Sequence, residues 1–349
     1  MTQAASGDPS RDEFRKARSE AIKKFLSEFA PCENEDLLHQ MIITICRLAA
    51  DGADRGDLKI LNTSLAELRY SFKIFAPYRE IPKVSIFGSA RTPEGHPQYV
   101  QAKKFAELIE DKGWMVITGA GDGIMRAGHH GAERDASFGV AISLPFEQKT
   151  NPIIQDDPKL VNFKYFFTRK LIFIKEARAI VLFPGGFGTQ DDGFEALTLV
   201  QTGKTTPTPI VLCDEPGGTY WLQWRAYVKA ELLGNGMIDA DDLNLLYLTD
   251  SAEDAVAHIV QYYRRFHSSR YVGDRLVMRL KAPLSEETLR EVNDTYDDIL
   301  DDGRFEQLAG PLEEEDGEYP DKVRLAFHFD RRSAGRLRSL IDRINQEEE

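Results

Sequence analysis

Residues 184–189, with the sequence PGGFGT, are the part of the chain best suited to hold a small anion. They follow the apolar run AIVLF and precede a segment with helical spacing. The glycines expose backbone N–H groups, Thr189 can cap the helix or bind an oxygen, and a helix N-terminus attracts negative charge. A phosphate is therefore the expected occupant. No lysine follows at the spacing of a P-loop, which disfavours a triphosphatase of that class.

Charged residues cluster around this loop. Asp191, Asp192 and Glu195 share one flank of the following helix, because their spacings are i,i+3 and i,i+4. Acids are favourable at a helix N-terminus in any protein. Several of them beside a phosphate site also suit sugar hydroxyls or a developing positive charge. Arg169 and Lys170 interrupt the apolar run FFTRKLIF. Either they lie on a solvated edge of a helix, or they bind an anion.

Three further turns end predicted strands, and ligands of open α/β sheets bind at that edge. Their sequences are FGSAR (87–91), TGAGDGIM (118–125) and LPFE (144–147). The second resembles a dinucleotide fingerprint, but no acidic residue ends a following strand where a ribose needs one. A mononucleotide site is therefore favoured over an NAD site, with close helix–strand packing as the alternative reason for the glycines. The residues that these turns offer to a ligand are Gly88, Ser89, Gly121, Gly123, Met125 and Glu147.

The turns belong to a region, 83–267, in which short apolar runs alternate with helical segments. The runs are VSIFG, WMVITG, FGVAISLP, AIVLFPGG, PIVLC and LLYLT. Strands that are apolar throughout and separated by helices indicate a parallel sheet covered on both faces. The sequence therefore predicts a doubly wound, Rossmann-like α/β domain.

The flanking regions differ in pattern from this domain. Residues 1–82 predict three helices, which we expect to pack on the main domain or on another subunit. Residues 268–349 predict a small acidic α+β domain with the order βαββα, in a regulatory or oligomerising role.

Composition limits the class of protein. The chain has 349 residues and a net charge of −13, which argues against nucleic acid and anionic membranes as partners. Residues 282–320 hold twelve of those net negative charges, so the remainder is nearly neutral. Three scattered cysteines predict neither disulfides nor a metal site. Without an apolar signal core or a membrane-length apolar run, we expect a cytoplasmic protein.

The turns together resemble those of the LOG (Lonely Guy) family of nucleoside 5′-monophosphate phosphoribohydrolases, formerly described as lysine decarboxylase-like. The resemblance covers about 83–267 and is strongest to the longer bacterial members. The family's signature is PGGxGTxxE preceded by an Arg-Lys pair, and this chain has FFTRK followed by PGGFGTQDD. The resemblance implies hydrolysis of a nucleoside monophosphate, AMP-like or a cytokinin riboside monophosphate, to free base and ribose 5-phosphate. It implies no cofactor, no metal and a homodimer or larger assembly.

The resemblance also implies roles for individual residues. The loop residues Gly186, Phe187, Gly188 and Thr189, with Gly185 before them, hold the 5′-phosphate, and Glu147, Arg169, Lys170 and Thr198 contact the nucleotide. Arg169 and Asp192 form the catalytic pair, with Glu195 as a further catalytic acid. Asp192 stands where the family has Glu, one methylene longer. Either the pocket compensates through Glu195, or the protein is slow or only binds.

Three other classes of protein remain as alternatives. A non-catalytic nucleotide sensor would use the same pocket. A decarboxylase would need pyridoxal phosphate on a lysine, and neither Lys170 nor Lys204 has a convincing setting for it. An NAD-dependent oxidoreductase lacks the acidic residue for the ribose.

Overall fold

The computed structural model describes residues 9–144, 149–315 and 317–347. The chain divides into two compact units, Met1–Ala66 and Glu67–Glu349. The first contains α1 (Pro9–Phe29), α2 (Glu35–Ala50) and the first half of α3 (Arg55–Phe75). Asp54 begins α3 by accepting a hydrogen bond from the Asp57 backbone N–H at 2.8 Å, as an N-terminal cap does. The predicted helical extension is confirmed.

The second unit is built on a parallel sheet with seven strands in the described part of the chain. Their order is β4-β3-β2-β1-β5-β6-β7. The strands are β1 (Lys83–Phe87), β2 (Met115–Thr118), β3 (Ser137–Ile142), β4 (Leu160–Phe163), β5 (Ala179–Leu182), β6 (Ile210–Cys213) and β7 (Leu246–Thr249). The strand order reverses between β1 and β5, which opens a crevice at their carboxyl ends. The predicted doubly wound sheet is confirmed.

Helices cover both faces of this sheet. They are α4 (Pro97–Glu110), α5 (Ile124–Ala132), α6 (Phe166–Lys175), α7 (Phe187–Gln201), α8 (Tyr220–Tyr227) and α9 (Ala252–Tyr262). One apolar core includes Phe105 of α4 and Ile259 of α9. The core on the opposite face includes Ile172 of α6 and Trp221 of α8. Apolar contact on both faces is why the strands lack polar alternation.

Strand β4 is absent from the sequence prediction. Its four residues, LVNF, include the exposed Asn162, and it pairs only with β3 at the edge of the sheet within the described ranges. A run this short with a polar member gives no clear strand pattern.

The C-terminal region forms a separate antiparallel sheet in the order β10-β11-β9-β8, which corrects the predicted βαββα order to ββαββα. Its elements are β8 (Phe266–Val272), β9 (Arg275–Leu280), α10 (Glu286–Thr295), β10 (Leu300–Leu308), β11 (Val323–Phe329) and α11 (Ala334–Gln346). The missed strand is β8, whose sequence FHSSRYV is largely polar. Its hairpin with β9 turns at Gly273 and Asp274, where Gly273 has φ +62°.

The acidic run of this region is not wholly exposed, because one of its glutamates is buried. The Glu315 carboxylate is fully buried and accepts hydrogen bonds from Arg324 Nε at 3.0 Å and Arg279 Nη2 at 2.9 Å. Burial alone would raise the pKa of Glu315, but the hydrogen bonds from Arg324 and Arg279 hold it below its usual value. This acid therefore ties the segment after β10 to the sheet.

None of the helices in the described residues combines the length and the apolar character needed to cross a lipid bilayer.

Candidate active site

The crevice at the carboxyl ends of the strands is a cleft of about 790 Å³. The turns after β1, β2, β3 and β5 meet there, as the sequence predicts. Lining residues that the sequence singled out are Gly88, Ser89, Met125, Arg169, Gly185, Gly186, Phe187, Gly188, Thr189 and Asp192. The structure therefore brings ten of the predicted site residues together around one space.

The PGGFGT loop forms one wall of the cleft, at the start of α7. Gly186 occupies the N-cap position and the helix start receives no side-chain cap, so the first backbone N–H groups face the cleft region without an internal acceptor. A Cβ on Gly185 would lie 2.1 Å from Thr189 Oγ1, so the tight loop accepts only glycine there. The Ser89 N–H donates to the Pro184 carbonyl at 3.1 Å and joins the first turn to this loop.

Arg169 is held from three sides. Its Nε donates to the Val140 carbonyl at 2.8 Å, and its guanidinium lies 5.1 Å from the centre of the Phe173 ring. A Cβ on Gly119 would lie 2.3 Å from Nη2, so the second glycine-rich turn makes room for this side chain. Burial lowers the pKa of Arg169, and attraction to Asp192 partly opposes that. The result is a fixed, partly buried cation in the wall of the cleft.

Asp192 lies on the first turns of α7 and lines the same cleft. Burial raises the pKa of its carboxyl to about 6, although the positive charges of Arg169 and Lys170 lower it and the negative charges of neighbouring acids raise it. Its carboxylate has no hydrogen-bond partner in the described part of the chain. A partly buried acid with a perturbed pKa in a cleft is typical of a functional group.

Lys170 is bound to two other acids and lies outside the cleft lining. Its Nζ is 2.6 Å from Asp191 Oδ2 and 2.8 Å from Glu195 Oε2. Burial would lower the pKa of Lys170, but the bonds to Asp191 and Glu195 raise it. Glu195 is likewise absent from the lining, so the structure does not bring this predicted catalytic acid to the cleft.

A buried hydrogen-bond network holds the second glycine-rich turn. His129 Nε2 donates to the Phe138 carbonyl at 3.0 Å, and Asn151 Nδ2 lies 3.1 Å from His129 Nδ1. Asn151 Nδ2 also donates to the Gly121 carbonyl at 3.0 Å. Burial lowers the pKa of His129 to about 4, so the imidazole is neutral near pH 7. Gly121 thus serves this support and does not line the cleft.

The remaining predicted residues lie elsewhere. Gly123 does not line the cleft, and the N–H of the next residue, Ile124, donates to the Ser89 carbonyl at 3.0 Å. The Thr198 hydroxyl donates to the Phe194 carbonyl at 2.7 Å on an exposed part of α7. Glu147 lies outside the described residues.

Among the lining residues that the sequence analysis did not single out are Tyr220 and Gln190. The Tyr220 hydroxyl donates to the Gly185 carbonyl at 2.6 Å and accepts from Gln190 Nε2 at 2.6 Å. Tyr220 begins α8, directly after the turn that follows β6. The rule that places ligands at strand carboxyl ends could have found it.

The cleft does not suit pyridoxal phosphate chemistry, which needs a lysine for the Schiff base. No lysine is among the described residues of the lining. Within the described ranges, no group of three or more His, Cys, Asp and Glu side chains is arranged to hold a metal ion.

A comparison with families of known proteins matches part of the chain. Residues 119–259, less than half of the chain, match the family described as "Possible lysine decarboxylase". This span contains the Arg169-Lys170 pair and the PGGFGT loop. No curated protein matches the chain.

Solved structures with similarity to the chain cover about half of it. The molybdenum cofactor binding protein from Rippkaea orientalis is 16% identical over 52% of this chain and 96% of its own, with a TM-score of 0.39. The Moco carrier protein from Chlamydomonas reinhardtii is 19% identical over 52% and 97%, with a TM-score of 0.37. DNA processing protein A from Helicobacter pylori is 14% identical over 52% and 80%, with a TM-score of 0.34. Likenesses this distant carry no argument about function.

Proposed function

We propose that the protein hydrolyses the N-glycosidic bond of a nucleoside 5′-monophosphate, releasing free base and ribose 5-phosphate. The observation that carries this proposal is the pairing, in one cleft, of an uncapped helix N-terminus with a partly buried aspartate, Asp192. The first suits a phosphate and the second suits a developing sugar cation. The resemblance of the loops to LOG-type enzymes supports the same assignment.

The phosphate would bind at the start of α7. Backbone N–H groups of Phe187, Gly188 and Thr189 have no helical acceptor, and the helix dipole adds positive potential. Thr189 Oγ1 is a further donor. Tyr220 holds the loop by its bond to the Gly185 carbonyl. The phosphate would thereby fix the ribose above the β1 and β5 turns.

Cleavage would proceed through an oxocarbenium-like ribose, as in other glycoside hydrolyses. The C1′–N bond breaks, its electron pair leaves with the base, and a water oxygen bonds to C1′. The water proton neutralises the leaving base. The Asp192 carboxylate would stabilise the ribosyl cation and orient the water. Arg169 would keep Asp192 ionised and contact the nucleotide.

A nucleotide-binding protein without turnover is the second candidate. It is favoured by the short side chain of Asp192 and by the engagement of Asp191 and Glu195 with Lys170. Because Asp191 and Glu195 are bound to Lys170, Asp192 is the single carboxylate among the described residues that line the cleft. Tight binding of a monophosphate without release of base would establish this candidate.

We also propose a homodimer or larger assembly. Phe187 is 96% exposed, and Phe166, Phe167 and Leu171 of α6 are exposed as well. Apolar side chains at this density on a surface favour contact with another chain. Light scattering coupled to gel filtration would measure the mass, and a monomer at micromolar concentration would contradict the proposal.

The substrate is found by incubating the purified protein with a panel of monophosphates of adenosine, guanosine, cytidine, uridine and an N6-modified adenosine. Chromatography then measures free base. We expect release from at least one purine monophosphate and none from the matching nucleoside, because the phosphate anchors the substrate.

A further inference from the structure

We propose that a second pocket of this protein, remote from the cleft, binds a small organic acid with a compact apolar body. The pocket lies between residues 200–207, which comprise the end of α7 and the segment after it, and the C-terminal sheet with α11. Its volume is about 230 Å³. We call it the Lys204 pocket, after the cation on its rim.

The floor of the Lys204 pocket is apolar. Leu276 of β9, Phe329 of β11 and Leu337 of α11 are each buried and face this space with Val200 and Ala334. At ~30 Å³ for each water molecule, the space holds roughly eight waters. That is the size of one aromatic ring or branched chain with a single acidic group. An apolar floor of this size favours such a body over water.

The rim of the pocket is cationic. Lys204 and Arg331 have no carboxylate partner among the residues that the structure describes. Arg270, in contrast, has a carboxylate partner in Glu318, whose Oε2 lies 3.0 Å from Arg270 Nη1 and also 2.8 Å from Arg279 Nη2. Both residues are exposed, so their charges stay solvated, and together they give the rim a positive potential that favours an anion over a neutral ligand.

Arg331 is held in place over the pocket. Its backbone has φ +60°, in the left-handed region that non-glycine residues rarely adopt. Its guanidinium lies 4.6 Å from the centre of the Tyr271 ring. The adjacent acid, Asp330, is already occupied, since it accepts hydrogen bonds from the backbone N–H groups of Arg332 at 2.8 Å and Ser333 at 3.0 Å. The guanidinium is therefore positioned for an external anion.

An occupant would also touch the end of α7. Val200 and Gln201 line the pocket, and the same helix begins at the phosphate loop and carries Asp192. Gln201 Nε2 donates to Asp242 Oδ2 at 2.7 Å, which joins the end of α7 to a short 3-10 helix, Ala240–Leu245. The Lys204 pocket thus contacts both α7, which covers the parallel sheet, and the C-terminal sheet.

Isothermal titration calorimetry with phenylacetate, phenyl phosphate and the neutral phenylacetamide tests the proposal. We expect one of the two acids to bind the wild-type protein at least tenfold more tightly than the amide. Whether that acid is the carboxylate or the phosphate identifies the headgroup. The double variant Lys204→Ala/Arg331→Ala should bind it at least tenfold more weakly. The phosphate loop is unchanged in that variant, so binding there cancels in the comparison.

A matched control loses two positive charges elsewhere. Lys229→Ala/Arg304→Ala changes two exposed cations that do not line the pocket, and affinity should change less than twofold. A second variant, Ala334→Leu, fills the floor and should abolish binding with both cations intact, while thermal unfolding confirms the fold. Failure of both acids to bind at millimolar concentration, equal binding of the amide, or equal weakening in the control pair would overturn the proposal.

Discussion

The Lys170 ammonium lies 2.8 Å from the Glu195 carboxylate, and this pair stands beside the cleft, not in it. The contact changes the expected role of Glu195 from a catalytic acid to a partner of Lys170. Asp192, three residues earlier on α7, is left as the carboxylate that lines the cleft in the described part of the chain.

We therefore expect Glu195→Gln to lower kcat/KM by less than tenfold, whereas Asp192→Asn lowers it by at least roughly 100-fold. The amide that replaces the Glu195 carboxylate still accepts a hydrogen bond from Lys170, so the helix keeps its position. Steady-state release of base measures both values. An equal loss of kcat/KM in the two variants would show that Glu195 is a catalytic acid after all.

The acid limb of the pH profile should report Asp192. Burial raises the pKa of this carboxyl to about 6, and the proposed mechanism needs the ionised form. Below pH 6 the carboxylate fraction of the free protein falls, to about a tenth at pH 5, so kcat/KM should fall with it.

The substrate phosphate also titrates near pH 6, so a control must separate the two groups. Asp192→Glu changes the protein group and leaves the substrate unchanged. If the midpoint of the acid limb shifts in Asp192→Glu but not in Tyr220→Phe, the limb reports the titration of residue 192. A limb at the same pH in all three proteins would contradict the assignment.

Tyr220→Phe should weaken the hold on the phosphate loop. The variant removes the hydroxyl that joins the Gly185 carbonyl to Gln190, a contribution of about 1 kcal/mol. We expect KM to rise roughly fivefold with little change in kcat, since the chemical groups remain. An unchanged KM would show that the loop is rigid without this bond.

The sequence predicted the parallel sheet because its strands are apolar on both faces, and it predicted the cleft because glycine-rich turns end those strands. It could not distinguish residues that share a helix flank. Asp191, Asp192 and Glu195 have equivalent spacing, and only the position of Lys170 on α6 decides which of them is engaged. The position of Tyr220 after β6 could have been predicted, but its contact with Gly185 could not, because it joins residues 35 positions apart.

The C-terminal sheet shows a further limit. Acidic runs are usually solvated, yet Glu315 is buried between Arg279 and Arg324, which come from two neighbouring strands. The pairing depends on a register between β9 and β11 that composition does not reveal.

Glu315→Ala should therefore destabilise the protein by about 3–5 kcal/mol, because it leaves Arg324 buried without its acid, although Arg279 keeps Glu318 as a partner. Chemical denaturation measures the free energy of unfolding. Glu313→Ala, two residues earlier and exposed, is the matched control and should change it by less than about 0.5 kcal/mol. Similar small effects in both variants would show that the buried network contributes no stability.

The most direct test of the proposed hydrolysis is a comparison of the wild-type protein with Asp192→Asn on the preferred monophosphate. Free base and ribose 5-phosphate are both quantified, and calorimetry measures nucleotide binding. We predict equal amounts of the two products from the wild-type protein, and binding without release of base from Asp192→Asn. Robust turnover by Asp192→Asn, or wild-type binding with no products, would contradict the proposal.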